Sequence, residues 1–227
     1  MNISYYLYRI ISCIKFRYFK YLFLYIQKPI WKLSYCGVGN YVNIEGLMLN
    51  CKLIINGYGN KIRIEKGCHV KNVNIKIDGF NNTIVIKSGA SINESGRIII
   101  EDRDNELIIG ARTQIYSAFM TLRDVKTKLE IGQDCLLSSN VVIRTSDAHS
   151  IMDDAGKRIN SGKDVIIGNH VWIGYNATIL KGCYIGNNSV VGTHCVVSNQ
   201  IVDNNTVIAG NPAKIVRSGV NWDIRRL

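Results

Sequence analysis

Residues 167 to 201 read IGNHVWIGYNATILKGCYIGNNSVVGTHCVVSNQI, and an aliphatic residue returns at every sixth position of this stretch. A period of six fits neither an amphipathic helix, whose apolar residues lie three to four apart, nor a strand, whose apolar residues alternate. It is typical of a parallel β-helix. The recurring aliphatic residues, called markers below, are Ile167, Ile173, Ile179, Ile185, Val191 and Val197.

Each hexad of such a fold forms one flat side of a coil, so three hexads carry the chain once around. We expect the marker to point into the core, where it stacks on the markers of neighbouring coils. We expect the residue four places later to fill a tight corner, and these residues are Val171, Ala177, Cys183, Ser189, Cys195 and Ile201. Glycine follows the marker at positions 168, 174, 186 and 192, where it allows corner conformations that other residues resist.

The chain before residue 167 follows the same plan in a looser form. Turns of Asn and Gly precede short aliphatic alternations, and Ile64, Ile86, Ile109 and Ile131 recur about every 22 residues. Each coil of such a stack buries its apolar side chains only against the next coil. The sequence therefore predicts an all-β protein, with one elongated parallel β-helix over residues 36 to 215 and a tail over residues 216 to 227.

Residues 1 to 35 differ in kind, because they combine basic and aromatic residues without any Asp or Glu. An apolar stripe at helical spacing predicts an amphipathic helical segment: Ile3, Leu7, Ile10, Ile11, Ile14 and Tyr18. Charges interrupt every apolar run before it reaches the ~20 residues of a spanning helix. Two interpretations stay open: peripheral contact with the anionic inner face of the cell membrane, or packing on the β-helix end or a neighbouring subunit.

The net charge of +11 favours acidic small molecules, acidic glycans or anionic lipid as partners. No nucleic-acid module accompanies this charge, so we expect no nucleic-acid partner. Four of the seven cysteines fall at corner positions that need a small apolar residue: Cys68, Cys135, Cys183 and Cys195. The chain has no Cys-x-x-Cys spacing and no secretory signal, which indicates core thiols of a cytoplasmic protein and no metal site.

The repeat has one long break, between Ile143 and Val165. It begins with the sequence SDAHS at residues 146 to 150 and continues as a polar loop to residue 163. A long loop that interrupts a regular solenoid is usually functional or disordered. His149 lies at the root of this loop, where rigid coils can hold it, so residues 146 to 163 are the candidate catalytic loop.

The sequence resembles the hexapeptide-repeat acyltransferases. The resemblance rests on the hexads, the SDAHS break, the segment GNHVWIG at 168 to 174 and the segment GNPAK at 210 to 214. Within that family the chain is most similar to bacterial O-acetyltransferases that modify capsular polysaccharide, including polysialic acid, or lipopolysaccharide. The resemblance implies a left-handed β-helix, a homotrimer, and an acetyl-CoA site in the groove between subunits, with acetyl-CoA as the acetyl donor.

Transfer of an acetyl group from a thioester to a sugar hydroxyl needs a base, because a hydroxyl is a poor nucleophile at neutral pH. Histidine suits that role, since its reference pKa is about 6.5, and the resemblance assigns the role to His149. Trp172 precedes the marker Ile173, so the pleat turns its indole outward, where its N–H can hold the thioester carbonyl or the oxyanion. Asp147 either orients the imidazole or turns the loop, and we favour the turn. No cysteine lies in the loop, which favours direct transfer without an acyl-enzyme.

CoA needs a groove for its pantetheine arm and cations for its phosphates. By resemblance the groove residues are Gly174, Tyr175, Gly192 and Thr193, with Ser198 and Asn199 further along. Lys214 and Arg217, in and after the GNPAK segment, are the expected phosphate partners.

Three other functions compete with O-acetylation of a polysaccharide. The acceptor can instead be small, such as a nucleotide-linked amino sugar or serine, because loops rather than hexads bind it. Zinc-dependent carbonic anhydrases use a similar helix, but they need three converging histidines. A non-catalytic membrane scaffold would use the N-terminal segment and leave the His149 loop without a role.

Overall fold

The computed structural model describes residues 31 to 226, which form an all-β unit without an α-helix. The strands are β1 Trp31–Cys36, β2 Tyr41–Ile44, β3 Leu47–Leu49, β4 Cys51–Asn56, β5 Lys61–Ile64, β6 His69–Lys71, β7 Val73–Phe80, β8 Thr83–Ile86, β9 Ser91–Arg103, β10 Glu106–Ile109, β11 Gln114–Leu122, β12 Lys128–Ile131, β13 Leu136–Leu137, β14 Val141–Arg144, β15 Val165–Ile167, β16 Trp172–Ile173, β17 Thr178–Ile179, β18 Tyr184–Ile185, β19 Val190–Val191, β20 Val196–Val197, β21 Ile201–Val202, β22 Thr206–Ala209 and β23 Lys214–Ser218.

The N-terminal boundary differs from the expectation. Of the predicted helical segment, residues 1 to 30 lie outside the described residues, and residues 31 to 35 belong to β1, which pairs in parallel with β4. The described part of the solenoid thus includes residues 31 to 35, the five residues before the predicted boundary at 36. Within residues 31 to 226, no helix is long and apolar enough to cross a membrane.

Three faces of parallel strands make a solenoid of about eight turns. The first face is the eight-stranded sheet β2-β5-β8-β10-β12-β15-β18-β21. The second face holds β3, β6, β13, β16, β19 and β22, and the third holds β1, β4, β7, β14, β17 and β20. The long strands β9 and β11 bend across the corner between these two faces and belong to both. Each coil thus stacks on the next, as the hexads predict.

The predicted stacking of markers is confirmed on the first face. One unbroken row of register partners runs through Ile44, Ile64, Ile86, Ile109, Ile131, Ile167, Ile185 and Val202. From Ile64 to Val202 every member is at most 1% exposed. These aliphatic side chains fill the solenoid from end to end, and their burial is the main stabilising contribution to the fold.

The corner residues confirm the hexad pattern until its last member. Val171, Ala177, Cys183, Ser189 and Cys195 are all buried at 0 to 2% exposure. Ile201 was expected in the same kind of corner, but it is 76% exposed, and the next residue, Val202, is buried as the marker of the following hexad. Val202 is the register partner of Ile185, so the hexad after Val197 is one residue short.

The glycines that follow the markers are required by close packing between coils rather than by an unusual backbone conformation. The expected unusual conformation falls two residues later, since His170, Asn176, Asn188 and His194 have φ between 54° and 58°. A Cβ on Gly168, Gly174 or Gly186 would lie 2.5 to 2.7 Å from an atom of the next coil. Glycine is therefore needed at these positions because successive coils approach closely there.

A ladder of buried asparagines links the N-terminal coils at the corner that precedes the first face. Each side-chain oxygen accepts the backbone N–H of the next member, from Asn40 through Asn60, Asn82 and Asn105 to Thr127, over 2.8 to 3.0 Å. Asn60, Asn82 and Asn105 are at most 1% exposed. The ladder satisfies backbone groups that the strands leave unpaired at this corner.

The C-terminal end departs from the repeat. After the cis peptide Asn211–Pro212 the chain reverses, and β23 pairs antiparallel with β22. Because β23 covers residues 214 to 218, the predicted boundary between β-helix and tail at residue 215 falls inside a strand.

Candidate functional site

The candidate catalytic loop leaves the solenoid after β14 and returns at β15, so it stands at the corner between the third and first faces. Its outer part is a small antiparallel arm, in which Ile159 N donates to Ile151 O at 2.9 Å and Met152 bridges Arg158. Ile151, Met152 and Ile159 are 52 to 61% exposed. The loop is thus an ordered projection with apolar side chains on its surface.

Asp124 anchors this loop to the preceding coil. Its carboxylate accepts two hydrogen bonds from the Arg158 guanidinium at 2.8 and 2.9 Å, one from Ser146 Oγ at 3.0 Å and one from Gly162 N at 2.6 Å. These donors come from both ends of the loop and from its middle. One carboxylate therefore fixes the loop at three places along its length.

Asp124→Ala should release the loop. Loss of its charge-assisted hydrogen bonds removes about 1.5–3 kcal/mol from the free energy that holds the loop closed, so tryptic cleavage at Lys157 and Arg158 should speed up about tenfold or more. Limited proteolysis followed by mass spectrometry measures the rate. Asp154→Ala is the matched control, because Asp154 is an exposed carboxylate at the tip of the same loop. Equal cleavage rates in the two variants would show that Asp124 is not the anchor.

The anchor has a defined pH range. Burial raises the pKa of Asp124, but hydrogen bonds from Arg158, Ser146 and Gly162 outweigh burial, so the pKa lies below its usual value. A carboxyl group whose pKa is lowered by folding contributes its full stability above the unfolded value of about 3.9. The anchor should therefore hold at neutral pH and weaken only as the pH falls below about 4.

His149 is exposed at the root of the loop, and its backbone is held by a polar network. Asn160 Nδ2 donates to the carbonyl oxygen of His149 and to Asp147 Oδ2, each at 2.8 Å. Lys181 Nζ donates to Asp147 Oδ2 at 2.5 Å and to Asn160 O at 2.8 Å. The Asp147 carboxylate thus braces the loop through Asn160 and Lys181, two residues that the sequence did not indicate.

Trp172 lies on the second face with its side chain turned outward, as the pleat predicts, and is 40% exposed. A row of register partners runs from Trp172 through Val190 and Val207 to Arg217. Adjacent strands lie about 4.8 Å apart, so about 14 Å separates the backbones of Trp172 and Arg217. We call this part of the second face the tryptophan strip.

Most of the predicted CoA residues lie along the tryptophan strip. Gly174 N donates to Val191 O and Gly192 N to Ile208 O, each at 2.8 Å, so the two glycines stack at one corner. Lys214 is the register partner of Ala209, which follows Ile208 on β22. The neighbouring residues Tyr175 and Thr193 are exposed at that corner.

Ser198 and Asn199 lie elsewhere. They follow β20, at the corner between the third and first faces, and Lys163 Nζ donates to Asn199 Oδ1 at 2.8 Å. Within the described chain they are therefore neighbours of the candidate catalytic loop rather than of the tryptophan strip.

The C-terminal tail adds an aromatic residue that the sequence did not indicate. Trp222 stacks on His170 at 4.4 Å between ring centroids, and its Nε1 donates to His170 O at 2.7 Å. The Trp222 ring also lies 6.0 Å from that of Trp172, tilted by 44°. The tail thus supports the side chain of Trp172. Because 52 residues separate Trp222 from His170, no local motif reveals this contact.

His149 and Trp172 occupy different sides of the solenoid. The loop that carries His149 stands at the corner before β15, whereas Trp172 begins β16 beyond that strand. One strand of the first face, β15, therefore lies between the corner that carries the loop and the strand that carries the indole.

Thiol and metal chemistry find little support in the described residues. Cys68, Cys135, Cys183 and Cys195 are 0 to 2% exposed, as predicted for corner positions, and burial raises the pKa of Cys135 to about 11. Such thiols are not nucleophiles at neutral pH. Within residues 31 to 226, no three His, Cys, Asp or Glu side chains gather as a metal site, so the carbonic anhydrase alternative has no ligand set in this range.

Comparisons with known proteins agree with this architecture. The family model for bacterial transferase hexapeptide (six repeats) matches residues 164–199. The chain is 40% identical over 134 residues to the polysialic acid O-acetyltransferase of Neisseria meningitidis, an alignment that covers 58% of this chain and 61% of that relative. The chain thus spans about three fifths of the length of that relative.

Two crystal structures are similar over nearly their whole length. The polysialic acid O-acetyltransferase OatWY superposes with a TM-score of 0.81 and 38% identity, covering 86% of this chain and 93% of that one. The polySia-specific acetyltransferase NeuO gives a TM-score of 0.78 and 32% identity, covering 86% of this chain and 90% of that one.

Proposed function

Because the chain belongs to the hexapeptide-repeat O-acetyltransferases, we propose that it transfers the acetyl group of acetyl-CoA to a hydroxyl of an acidic bacterial surface polysaccharide. The observation that carries this proposal is the placement of His149, which a braced network presents at the root of an anchored loop. A polysaccharide acceptor agrees with the names of the similar proteins and with the net charge of +11.

His149 acts as the general base. Its imidazole takes the proton of the sugar hydroxyl while that oxygen attacks the thioester carbon. A C–O bond forms, the C–S bond then breaks, and the imidazolium returns the proton to the departing thiolate. The Trp172 indole N–H donates to the thioester oxygen as negative charge develops on it. Acetyl transfer is direct, because no cysteine lies in the candidate catalytic loop to act as a nucleophile.

Acetyl-CoA lies along the tryptophan strip. The pantetheine arm runs past Gly174 and Gly192, where the backbones of successive coils approach closely, and Tyr175 and Thr193 border it. Lys214 and Arg217 are exposed on β23 at the far end of the strip, where they bind the phosphates. The thioester then lies near Trp172, at the opposite end.

The active site forms between subunits of a homotrimer. The separation of His149 from Trp172 in one protomer supports this arrangement, because a neighbouring subunit can bring its loop to the tryptophan strip. Ser198 and Asn199, which lie beside the loop, then reach CoA from the loop side. We also infer that the solenoid is left-handed, as in the family that the chain resembles.

A small acceptor, such as a nucleotide-linked amino sugar or serine, is the second candidate. The loops rather than the hexads select the acceptor, so this candidate shares the same donor site. The similarity to two polysialic acid acetyltransferases favours the polysaccharide.

A labelled-acetyl transfer assay tests the proposal. The protein is incubated with labelled acetyl-CoA and a panel of sialylated polymers, neutral bacterial glycans, nucleotide-linked amino sugars and serine, and products are mapped by NMR. We expect label on a hydroxyl of a sialylated polymer. Label only on the small acceptors would establish the second candidate, and label on no acceptor would refute both.

The N-terminal segment supports a location at the inner face of the cell membrane. Residues 1 to 30 contain five Lys or Arg residues and no Asp or Glu, a composition that binds anionic lipid. We propose that the protein is cytoplasmic and that this segment makes peripheral membrane contact. Co-sedimentation with vesicles that contain anionic lipid, with and without residues 1 to 30, measures this contact.

A further inference from the structure

The third face carries a phenylalanine flanked by two arginines. Arg97 on β9 is the register partner of Phe119 on β11, and Arg144 lies on β14 next to them. The guanidinium carbons of Arg97 and Arg144 each lie 5.6 Å from the centroid of the Phe119 ring. Arg97 and Arg144 are exposed and Phe119 is partly exposed. We call these three residues the arginine cluster.

The positive charge of the arginine cluster is not compensated. Two other cations of the third face have partners, since Lys76 pairs with Asp78, and Arg123 Nε lies 2.8 Å from Glu101. Within residues 31 to 226, no carboxylate forms an ion pair with Arg97 or Arg144. Residues 1 to 30 contain no Asp or Glu that could supply one. The positive charges of Arg97 and Arg144 thus lie together beside the Phe119 ring. Because no described carboxylate neutralises them, they favour an anionic ligand.

The chemistry of the cluster selects a carboxylate attached to an apolar frame. A guanidinium binds a carboxylate through two parallel hydrogen bonds. The cation–π contact with Phe119 holds both guanidiniums in place before binding, which reduces the entropy lost on association. The free part of the ring offers an apolar surface for the C–H groups of a sugar.

The position of the cluster connects it to the candidate catalytic loop. Arg144 is the last residue of β14, and the loop begins two residues later. His149 follows Arg144 by five residues, and an extended chain spans at most about 3.6 Å per residue. The α-carbons of Arg144 and His149 are therefore no more than about 18 Å apart, a separation that a short stretch of polysaccharide can bridge.

We propose that Arg97, Phe119 and Arg144 bind carboxylate-bearing sugars of the acceptor polymer, and that a neighbouring sugar of the same polymer presents its hydroxyl to His149. The inference rests on the proposed function, because it names how the acceptor of that reaction is held. It adds a specific polymer-binding site on the third face, away from the tryptophan strip.

The double variant Arg97→Gln with Arg144→Gln tests this site. Binding of a sialic acid polymer is measured by isothermal titration calorimetry, and steady-state kinetics give KM and kcat for polymer and donor. We expect the dissociation constant and the KM for the polymer to rise at least about tenfold. The values of kcat and of KM for acetyl-CoA should stay unchanged.

Lys61→Gln with Lys71→Gln is the matched control. It removes the same net charge from exposed positions on the first and second faces. Equal loss of polymer binding in both double variants would overturn the site, because net charge alone would then explain the binding. Parent-like polymer binding in the arginine variant would overturn it as well. Inorganic polyphosphate tests the assignment to carboxylated sugars. That assignment would be overturned if polyphosphate bound the parent as tightly as the sialic acid polymer does and lost the same affinity in the arginine variant.

The calorimetry separates this site from the proposed function. Polymer that binds the parent and not the arginine variant, with no acetyl transfer to any glycan, would support the site and refute the enzyme. Acetyl transfer with an unchanged KM for the polymer in the arginine variant would support the enzyme and refute the site.

Discussion

His149→Ala should lower the rate of acetyl transfer by about 10²- to 10⁴-fold, the largest effect that we expect of any single substitution on activity. The alanine removes the imidazole that we propose as the general base. The backbone contact from Asn160 to the carbonyl oxygen of residue 149 remains, so the loop should keep its position. Initial rates with labelled acetyl-CoA measure the loss.

Two controls make this result interpretable. The dissociation constant for acetyl-CoA, measured by calorimetry, should be unchanged, because the tryptophan strip does not include His149. His69→Ala removes another exposed histidine, on β6 of the second face, and should leave the rate unchanged. Near-normal turnover in His149→Ala with donor still bound would show that another group is the base.

Asn82→Ala should lower the free energy of unfolding by about 2–4 kcal/mol, the largest loss of stability that we expect from removing one polar side chain. Its Nδ2 donates to Asn60 Oδ1 and to Asp102 O, each at 3.1 Å, and its Oδ1 accepts from Asn105 N at 2.9 Å. Asn82 is fully buried, so these partners lose a hydrogen bond that water cannot easily replace. Urea denaturation followed by circular dichroism measures the change.

Asn74→Ala is the matched control for the ladder. Asn74 lies on β7, the strand that precedes Asn82, and its side chain is exposed. Its replacement should change the free energy of unfolding by no more than about 0.5 kcal/mol. If the two variants have equal stability, the asparagine ladder does not contribute to stability as its geometry indicates.

The solenoid could be predicted because its core depends on spacing alone. The marker at every sixth position places Ile185 on Ile167 one coil later, and the looser recurrence of about 22 residues places Ile64, Ile86, Ile109 and Ile131 in the same row. The short hexad after Val197 could not be predicted, because Ile201 and Val202 are both aliphatic and either suits the core. Only the register with Ile185 decides between them.

The sequence indicated the candidate site residues that belong to a local motif. It did not indicate those whose contacts join distant parts of the chain. The loop and the outward Trp172 follow from the motifs and the repeat, whereas the position of Arg217 on the strip depends on the antiparallel pairing of β23 with β22. Asn160, Lys181 and Trp222 could not be found, because each contacts its partner across 11 to 52 residues of sequence. The contact between Arg97 and Arg144 across Phe119 is likewise a product of the coil register.

The antiparallel strand β23 covers the last parallel strand of the second face, β22, at the C-terminal end of the stack. A coil of parallel strands presents unpaired N–H and C=O groups that can template another coil, and fibres grow by such in-register addition. On the second face β23 takes up this hydrogen-bonding surface, and Val220 N adds a bond to Asn205 O at 2.9 Å. A strand of opposite direction does not continue the parallel ladder, so self-propagating growth is blocked on that side. The reversal after Pro212 thus protects the second face of this repetitive β protein from in-register addition.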